Sequence, residues 1–318
     1  MPDSNQLATS KAIQRRTGKT FHLATRLFPE RVRHRTYVLY AFFRVADEVV
    51  DDPDRDLSPA EQRAALERIR AAALGEQEPT DPVLSAFDEV RREAGLRDED
   101  VAAFLDAMAA DVDTARYETY ADLEEYVHGS AAAVGLLMTD AMGVADPERA
   151  RPHAAALGTA FQLTNFLRDV REDVVDRDRI YLPAETLERY GSSHAEVAAL
   201  EYTSGFRSAV AHELRRAERL YREGVAGIQY LPADCQFAVV LAAVLYADHH
   251  RLIREQDYDV LSATPSLSTR RKLWLAVRTR WHWALAGDPE AVFERVSCVG
   301  TASPTSVGPE PPETLPVQ

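Results

Sequence analysis

Leu163-Thr164-Asn165-Phe166-Leu167-Arg168-Asp169-Val170-Arg171-Glu172-Asp173-Val174-Val175-Asp176 is the most informative stretch of this chain. Carboxylates stand at Asp169, Asp173 and Asp176. Asn165 lies one helical turn before Asp169, and Gln162 nearly another turn before that. Residues four apart share a helix face, so a helix here carries two amides and then two carboxylates along one side. An earlier segment, Asp47-Glu48-Val49-Val50-Asp51-Asp52, repeats the device with Asp47 and Asp51 one turn apart. Like charges at that spacing destabilise a helix, so a partner that neutralises them is expected. A hard cation with oxygen ligands does this, and Mg²⁺ is usually held by one or two carboxylates plus substrate phosphates.

A plainer reading is a solvated acidic face, which is cheap in a chain with 51 Asp and Glu. The surroundings argue against it. Asp47 and Asp51 follow the mostly apolar run Tyr37-Val38-Leu39-Tyr40-Ala41-Phe42-Phe43, and Asp169 follows Ala160-Phe161-Gln162-Leu163. Arg44 and Arg168 stand just before the first aspartate of each pair. Two acidic helices flanked by arginines point to a metal–diphosphate site.

Composition bounds the rest. A chain of 318 residues buries a large core, and no linker is evident, so one domain is expected over residues 11–298. Residues 1–10 and the Pro-rich residues 299–318 read as disordered ends. Glycine is scarce and alanine, leucine, glutamate and arginine abound, which suits helices. No strand alternation is sustained, and the fold class is all-α. Helices are expected over 11–26, 32–51, 58–74, 81–94, 98–114, 121–138, 151–175, 201–230, 232–254 and 268–285. Ser58-Pro59-Ala60-Glu61 is a capping box with proline at the first helical position. Cys235 and Cys298 show no metal-ligand spacing and read as reduced bystanders.

The formal net charge is −14, and only Lys11, Lys19 and Lys272 are lysines among 37 basic residues. Such a surface repels nucleic acid and anionic membranes, so no nucleic-acid partner is expected. Acidic, lysine-poor composition also matches the habit of extreme halophiles, although genome composition produces the same arginine bias. The N-terminus is polar and no apolar run spans a bilayer. A cytoplasmic enzyme is expected.

The motifs resemble the squalene/phytoene synthase family. Thr20-Phe21, Leu27-Phe28-Pro29-Glu30-Arg31 and Tyr40 through Asp51 look like its first signature. Gln162 through Asp173, closing with Arg179-Ile180-Tyr181-Leu182-Pro183, looks like its second, and Leu245-Tyr246 and Tyr258-Asp259-Val260-Leu261 resemble its C-terminal pattern. The likeness covers roughly residues 15 to 285 and is closer to phytoene synthases than to eukaryotic-type squalene synthases. It implies an isoprenoid-synthase helical bundle around a central cavity. It also implies head-to-head joining of two geranylgeranyl diphosphates through a cyclopropyl intermediate to phytoene, in carotenoid biosynthesis. The alternatives are a squalene or dehydrosqualene synthase using farnesyl diphosphate, and a non-catalytic relative that has taken an assembly role.

By the same resemblance Asp47, Asp51, Asp169 and Asp173 are metal ligands for Mg²⁺, with Mn²⁺ as substitute, and no NADPH is needed. Arg44, Gln162, Asn165, Arg168, Tyr181 and Phe21 bind substrate. Arg44, Asn165, Tyr246 and His128 act in catalysis. His128 stands where the family carries a tyrosine, and Ala263 and Thr264 stand where it tends to carry arginine, so Arg270 or Arg271 is a candidate replacement for phosphate binding. The small residues Ala131-Ala132-Ala133-Val134-Gly135 leave room beside a prenyl tail or pack helices closely. Peripheral membrane contact for product release and other carotenoid-pathway enzymes complete the expected partners.

Overall fold

The computed structural model describes residues 24–51 and 57–299. The chain opens with α1 (Glu30–Asp51), α2 (Pro59–Ala73), α3 (Pro82–Ala94) and α4 (Asp98–Ala110). Next come α5 (Tyr120–Val127), a π-helical turn (His128–Ala132), α6 (Ala133–Met142) and the long α7 (Pro147–Arg177). Two short helices follow, α8 (Ala184–Arg189) and α9 (His194–Ala198). The chain closes with α10 (Ser204–Ala226), a 3₁₀ turn (Ile228–Tyr230), α11 (Ala233–Glu255), α12 (Thr269–Ala286) and α13 (Pro289–Val296). Among the described residues there is no β-strand, only a single parallel bridge between Arg116 and Ile180.

Local chemistry sets the helix starts. Ser58 accepts from the Glu61 amide while Glu61 reaches back to the Ser58 amide, the capping box legible in the sequence. Asp81 caps α3 through the Val83 and Leu84 amides, and Gly95 ends it in the left-handed conformation that costs glycine least. The short α9 begins with the same device, Ser193 with Glu196. That signal stands in the sequence, but five residues are too few to show helical periodicity.

The 31-residue α7 is the spine. Leu163 and Phe166 join the core of α1–α6. Leu157 and Ala160 join a second cluster with α10, α11 and α13. Leu167 and Val170 join a third with α8, α9 and the start of α10. A helix buried on several sides is fixed in rotation, so the side chains on its remaining face point where the fold sends them.

That face is opened by close approach on α6. A Cβ on Gly135 would stand 2.5 Å from the Ala154 carbonyl oxygen, and one on Gly158 would stand 2.4 Å from that of Ala131. The small residues therefore pack α6 onto α7, and Ala131, Val134 and Gly135 also border the internal cavity. The close-packing reading of that stripe holds, and the same residues leave part of the cavity wall without bulky side chains. The helix expected over 121–138 is interrupted by the π turn. This rearranges which side chains face inward, a device frequent at functional sites.

Candidate active site

A cavity of about 900 Å³ lies between α1, α4, the π turn, α6, α7 and α11. Its lining changes character along α7. Ala150, Ala154, Leu157, Gly158 and Phe161 come first, then Gln162 and Asn165, then Arg168, Asp169, Asp173 and Arg177. The spacing keeps close to the helical repeat, so one face of one helix runs from apolar to charged. Across the cavity, α1 does the same through Thr36, Tyr40, Phe43, Arg44 and Asp47. Both acidic segments lie near helix C-termini, where the macrodipole further disfavours anions.

The carboxylates differ in how they are held. Arg44 pairs with Asp47 and, at 3.3 Å, with Glu48. Its buried Nε has no hydrogen-bond partner among the described residues. Arg168 Nε donates to Asp169 Oδ1 at 2.6 Å, and its Nη2 reaches the second oxygen. Arg168 is therefore committed to Asp169 rather than to Glu172. Asp173 is buried and accepts from Arg177 Nη1 at 2.9 Å. Burial pushes its carboxyl up to about 7; Arg177 opposes this and Asp169 adds to it. Arg179, also buried, donates to the Asp111 carbonyl at 2.9 Å and lines the cavity.

Aromatic rings wall the centre. Tyr181 stacks on Phe166 with centroids 3.7 Å apart, and Tyr126 lies 5.9 Å from Tyr181. Tyr126 donates to Asp111 Oδ2 at 2.8 Å. Tyr246 stacks on Phe161 at 4.7 Å. Burial raises the phenols of Tyr126, Tyr181 and Tyr246, so all three stay protonated at neutral pH. Asn165 Nδ2 lies 3.5 Å from Gln162 Oε1.

Arg44, Asp47, Gln162, Asn165, Arg168, Asp169, Asp173, Tyr181 and Tyr246 thus meet in one cavity, as the motifs imply. Phe21 lies outside the described residues, and so does the side chain of Asp51, whose backbone ends α1. His128 is a correction. It is exposed at the start of the π turn and does not line the cavity, because its side of the helix faces away. The ring that reaches the cavity from this segment is Tyr126, two residues earlier. Arg271 is a second correction: it is bound to Asp248 at 2.7 and 3.0 Å, and neither it nor the exposed Arg270 lines the cavity. The basic residues missed were Arg177 and Arg179. Arg177 continues the four-residue spacing from Asp169 and Asp173, a signal present in the sequence.

Residues 14–272 match the squalene/phytoene synthase family. The chain belongs to it. The phytoene synthase of Rhodobacter capsulatus is 34% identical over 270 residues, covering 83% of this chain and 78% of the relative. The 15-cis-phytoene synthase of Synechocystis is 32% identical, covering 80% of this chain and 78% of that protein. Among solved structures, a dehydrosqualene synthase in complex with ligand superposes with a TM-score of 0.79 at 28% identity, covering 88% of this chain and 97% of that one. A squalene synthase from Alicyclobacillus acidocaldarius gives 0.72 at 28% identity, covering 80% and 95%. The family's helical bundle is the fold described above.

Proposed function

We propose that this chain is a prenyltransferase of the phytoene synthase type, joining two geranylgeranyl diphosphates head to head. The observation that carries the reading is the graded cavity, charged along the end of α7 and apolar along its beginning, in a chain whose curated relatives are phytoene synthases. Each of two half-reactions expels one diphosphate and one proton. The first gives the cyclopropyl prephytoene diphosphate, and the second ionises and rearranges it to phytoene. No hydride is consumed, so no NADPH is required.

The chain's own groups divide the work. Arg44, Arg168, Arg177 and Arg179 line the charged part and offer guanidinium donors to diphosphate oxygens. The protonated phenols of Tyr126, Tyr181 and Tyr246 are donors rather than bases. Their ring faces, with Phe161 and Phe166, attract a neighbouring carbocation. Phe28, Met108, Met138, Leu157 and Ile228 hold the apolar tails and keep water from the cation.

The donor set fits a divalent cation. Asp173 is a buried carboxylate short of positive charge, while Asp47 and Asp169 face the same cavity. Among the described residues no group of three acidic, histidine or cysteine side chains is placed to hold a metal ion; the reading rests on the carboxylates facing the cavity, with substrate phosphates as the remaining ligands. Mg²⁺, or Mn²⁺ in its place, held by Asp47, Asp51, Asp169 and Asp173 would neutralise charge developing on the departing diphosphate. The lysine-poor acidic composition is read as adaptation to high salt. Other carotenoid-pathway enzymes are the expected partners, since a forty-carbon hydrocarbon does not travel through water.

The structural neighbours favour one second reading, a thirty-carbon synthase using farnesyl diphosphate. The test is incubation of purified protein with Mg²⁺ and either the C15 or the C20 diphosphate, with and without NADPH. Phytoene from the C20 substrate, independent of NADPH, is the expected product. A C30 product formed faster, or a reduced product seen only with NADPH, replaces this reading with the second.

A further inference from the structure

Behind the cavity wall, three buried polar side chains join three helices: Thr164 on α7, Glu218 on α10 and His250 on α11. His250 Nε2 lies 2.9 Å from Thr164 Oγ1, and the Tyr221 hydroxyl of α10 lies 3.0 Å from the same oxygen. On its other side His250 Nδ1 lies 3.5 Å from Glu218 Oε1. Arg254, one turn after His250, closes the chain by donating to Glu218. None of these residues lines the cavity. Buried polar groups need partners, and here each is the partner of the next.

Charge gives these bonds their direction. Burial opposes the Glu218 carboxylate, but His250 and Arg254 hold its carboxyl below the usual range. Burial pushes the His250 imidazole down, so the ring is neutral at pH 7. The carboxylate beside Nδ1 draws the ring's one proton to that nitrogen, and Nε2 is left to accept from the Thr164 hydroxyl. The Ala160 carbonyl, 2.8 Å from that hydroxyl, is already served by the Thr164 amide in the helix ladder. Tyr221 then donates to Thr164.

The network stands directly behind the charged groups. Thr164 lies one turn before Arg168, which holds Asp169. His250 lies one turn after Tyr246, which stacks on Phe161. Phe161–Tyr246 and Thr164–His250 are therefore two successive points of register between α7 and α11. The first is a ring stack, which tolerates sliding, and the second is a directional bond between fully buried groups. Burial and the nearby Arg168 guanidinium both push the His249 imidazole down, so α11 also faces the Arg168–Asp169 pair. A slip of α11 along α7 would carry Tyr246 and His249 away from that pair together. We propose that His250 is a positioning residue, whose hydrogen bond to Thr164 sets the register of α11 on α7 and so seats Tyr246 beside Arg168 and Asp169. Glu218 and Arg254 act through His250 by holding its ring.

The rate measurement that tests this rests on the prenyltransferase reading; a binding measurement does not. Kinetics with the C20 diphosphate and Mg²⁺, and calorimetric binding of pyrophosphate in Mg²⁺, are compared per folded molecule. Thr164→Val keeps the shape and loses the hydroxyl, whereas Thr164→Ser keeps the hydroxyl. Leu241→Ala, at a buried position of α11 that does not line the cavity, controls for lost stability alone. Thr164→Val and His250→Leu should each lower kcat at least about tenfold while KM and the pyrophosphate Kd rise only about threefold. The double variant should be no worse than either single one. Thr164→Ser should recover kcat to within about threefold of wild type, and Leu241→Ala should keep kcat although it unfolds more easily. If His250→Leu does not fold, the two Thr164 variants carry the test. Wild-type kcat in Thr164→Val, equal impairment in Thr164→Ser, or the same loss in Leu241→Ala makes the network packing alone and overturns the proposal. If wild type turns over neither the C20 nor the C15 diphosphate, the prenyltransferase reading fails by itself and pyrophosphate decides. Weaker binding in Thr164→Val, restored in Thr164→Ser, then supports the positioning role, and no difference among the three proteins overturns it.

Discussion

Two buried aspartates show how this molecule separates structure from chemistry. Asp248 on α11 is 1% exposed and receives two forked arginines, Arg251 at 3.0 and 3.2 Å and Arg271 at 2.7 and 3.0 Å. Burial works against its charge, but Arg271 and Arg251 prevail and hold the carboxyl below the usual range. Asp173 on α7 is 7% exposed and accepts from the half-exposed Arg177, with Arg179 a weaker positive neighbour. Burial prevails there and the carboxyl rises to about 7. A satisfied buried carboxylate ties two helices together. An under-compensated one at a cavity wall keeps capacity for an incoming cation.

The largest expected effect lies at the cavity. Asp169→Asn or Asp173→Asn should lower turnover by several orders of magnitude, with helical circular dichroism unchanged. Near-wild-type rates in both would place the metal–diphosphate chemistry elsewhere.

The other side of the comparison should respond in stability. Asp248→Ala removes the buried carboxylate that joins Arg271 to α11, while the partly exposed Arg251 keeps Glu255, so the loss should lie below the about 3–5 kcal/mol of a fully buried broken pair. Urea unfolding should show that loss, while turnover per folded molecule stays within a few-fold of wild type. A variant that unfolds no more easily would mean that the corner is not load-sharing.

Much of this contrast was legible before any coordinates. The spacing of Gln162, Asn165, Asp169 and Asp173 defines a helix face, and α7 presents that face to the cavity. Arg177 extends the same series by one turn, although the acidic run itself ends at Asp176, which is exposed. His128 was misplaced for a physical reason. His128 continues the phase of α5, with its N–H on the Glu124 carbonyl, and falls on that helix's exposed side, while the π turn re-phases only the residues that follow it. Arg271 was equally open to misreading, since its partner Asp248 lies 23 positions away in sequence. The short α8 and α9 and the terminal α13 are not legible in the sequence, because six-, five- and eight-residue helices carry little periodicity.

Acid sensitivity separates the two kinds of buried group further. Burial, with Arg168 adding to it, pushes the His249 imidazole down to about 4, against about 6.5 when unfolded. Its contribution to stability is complete above about 6.5 and is lost as pH falls through about 4. Asp173 has the opposite sign over much the same range. Its folded value is raised, so its contribution is present below about 3.9 and lost as pH rises through about 7. Urea midpoints between pH 4.5 and 8 should therefore fall less steeply toward acid in His249→Gln and more steeply in Asp173→Asn. Parallel curves for both variants would remove these two groups from the acid response.

The smallest effect is general. With net charge −14, screening relieves self-repulsion as the Debye length falls from about 10 Å at 0.1 M to about 3 Å at 1 M salt. The melting temperature should rise with KCl into the molar range. A flat curve assigns the missing lysines to genome composition instead.

The most direct test of the contrast is the melting temperature at pH 8 of wild type, Asp173→Asn and Asp248→Asn, each with and without Mg²⁺ plus pyrophosphate. A ligand at one hundred times its Kd stabilises by about 2.7 kcal/mol. Wild type and Asp248→Asn should both gain several degrees, the latter from a lower starting point. Asp173→Asn should melt no lower than wild type when free of ligand and should gain little on adding it. If Asp173→Asn instead loses stability as Asp248→Asn does, and still responds fully to Mg²⁺ and pyrophosphate, Asp173 is a structural anchor and the distinction drawn between the two aspartates is wrong.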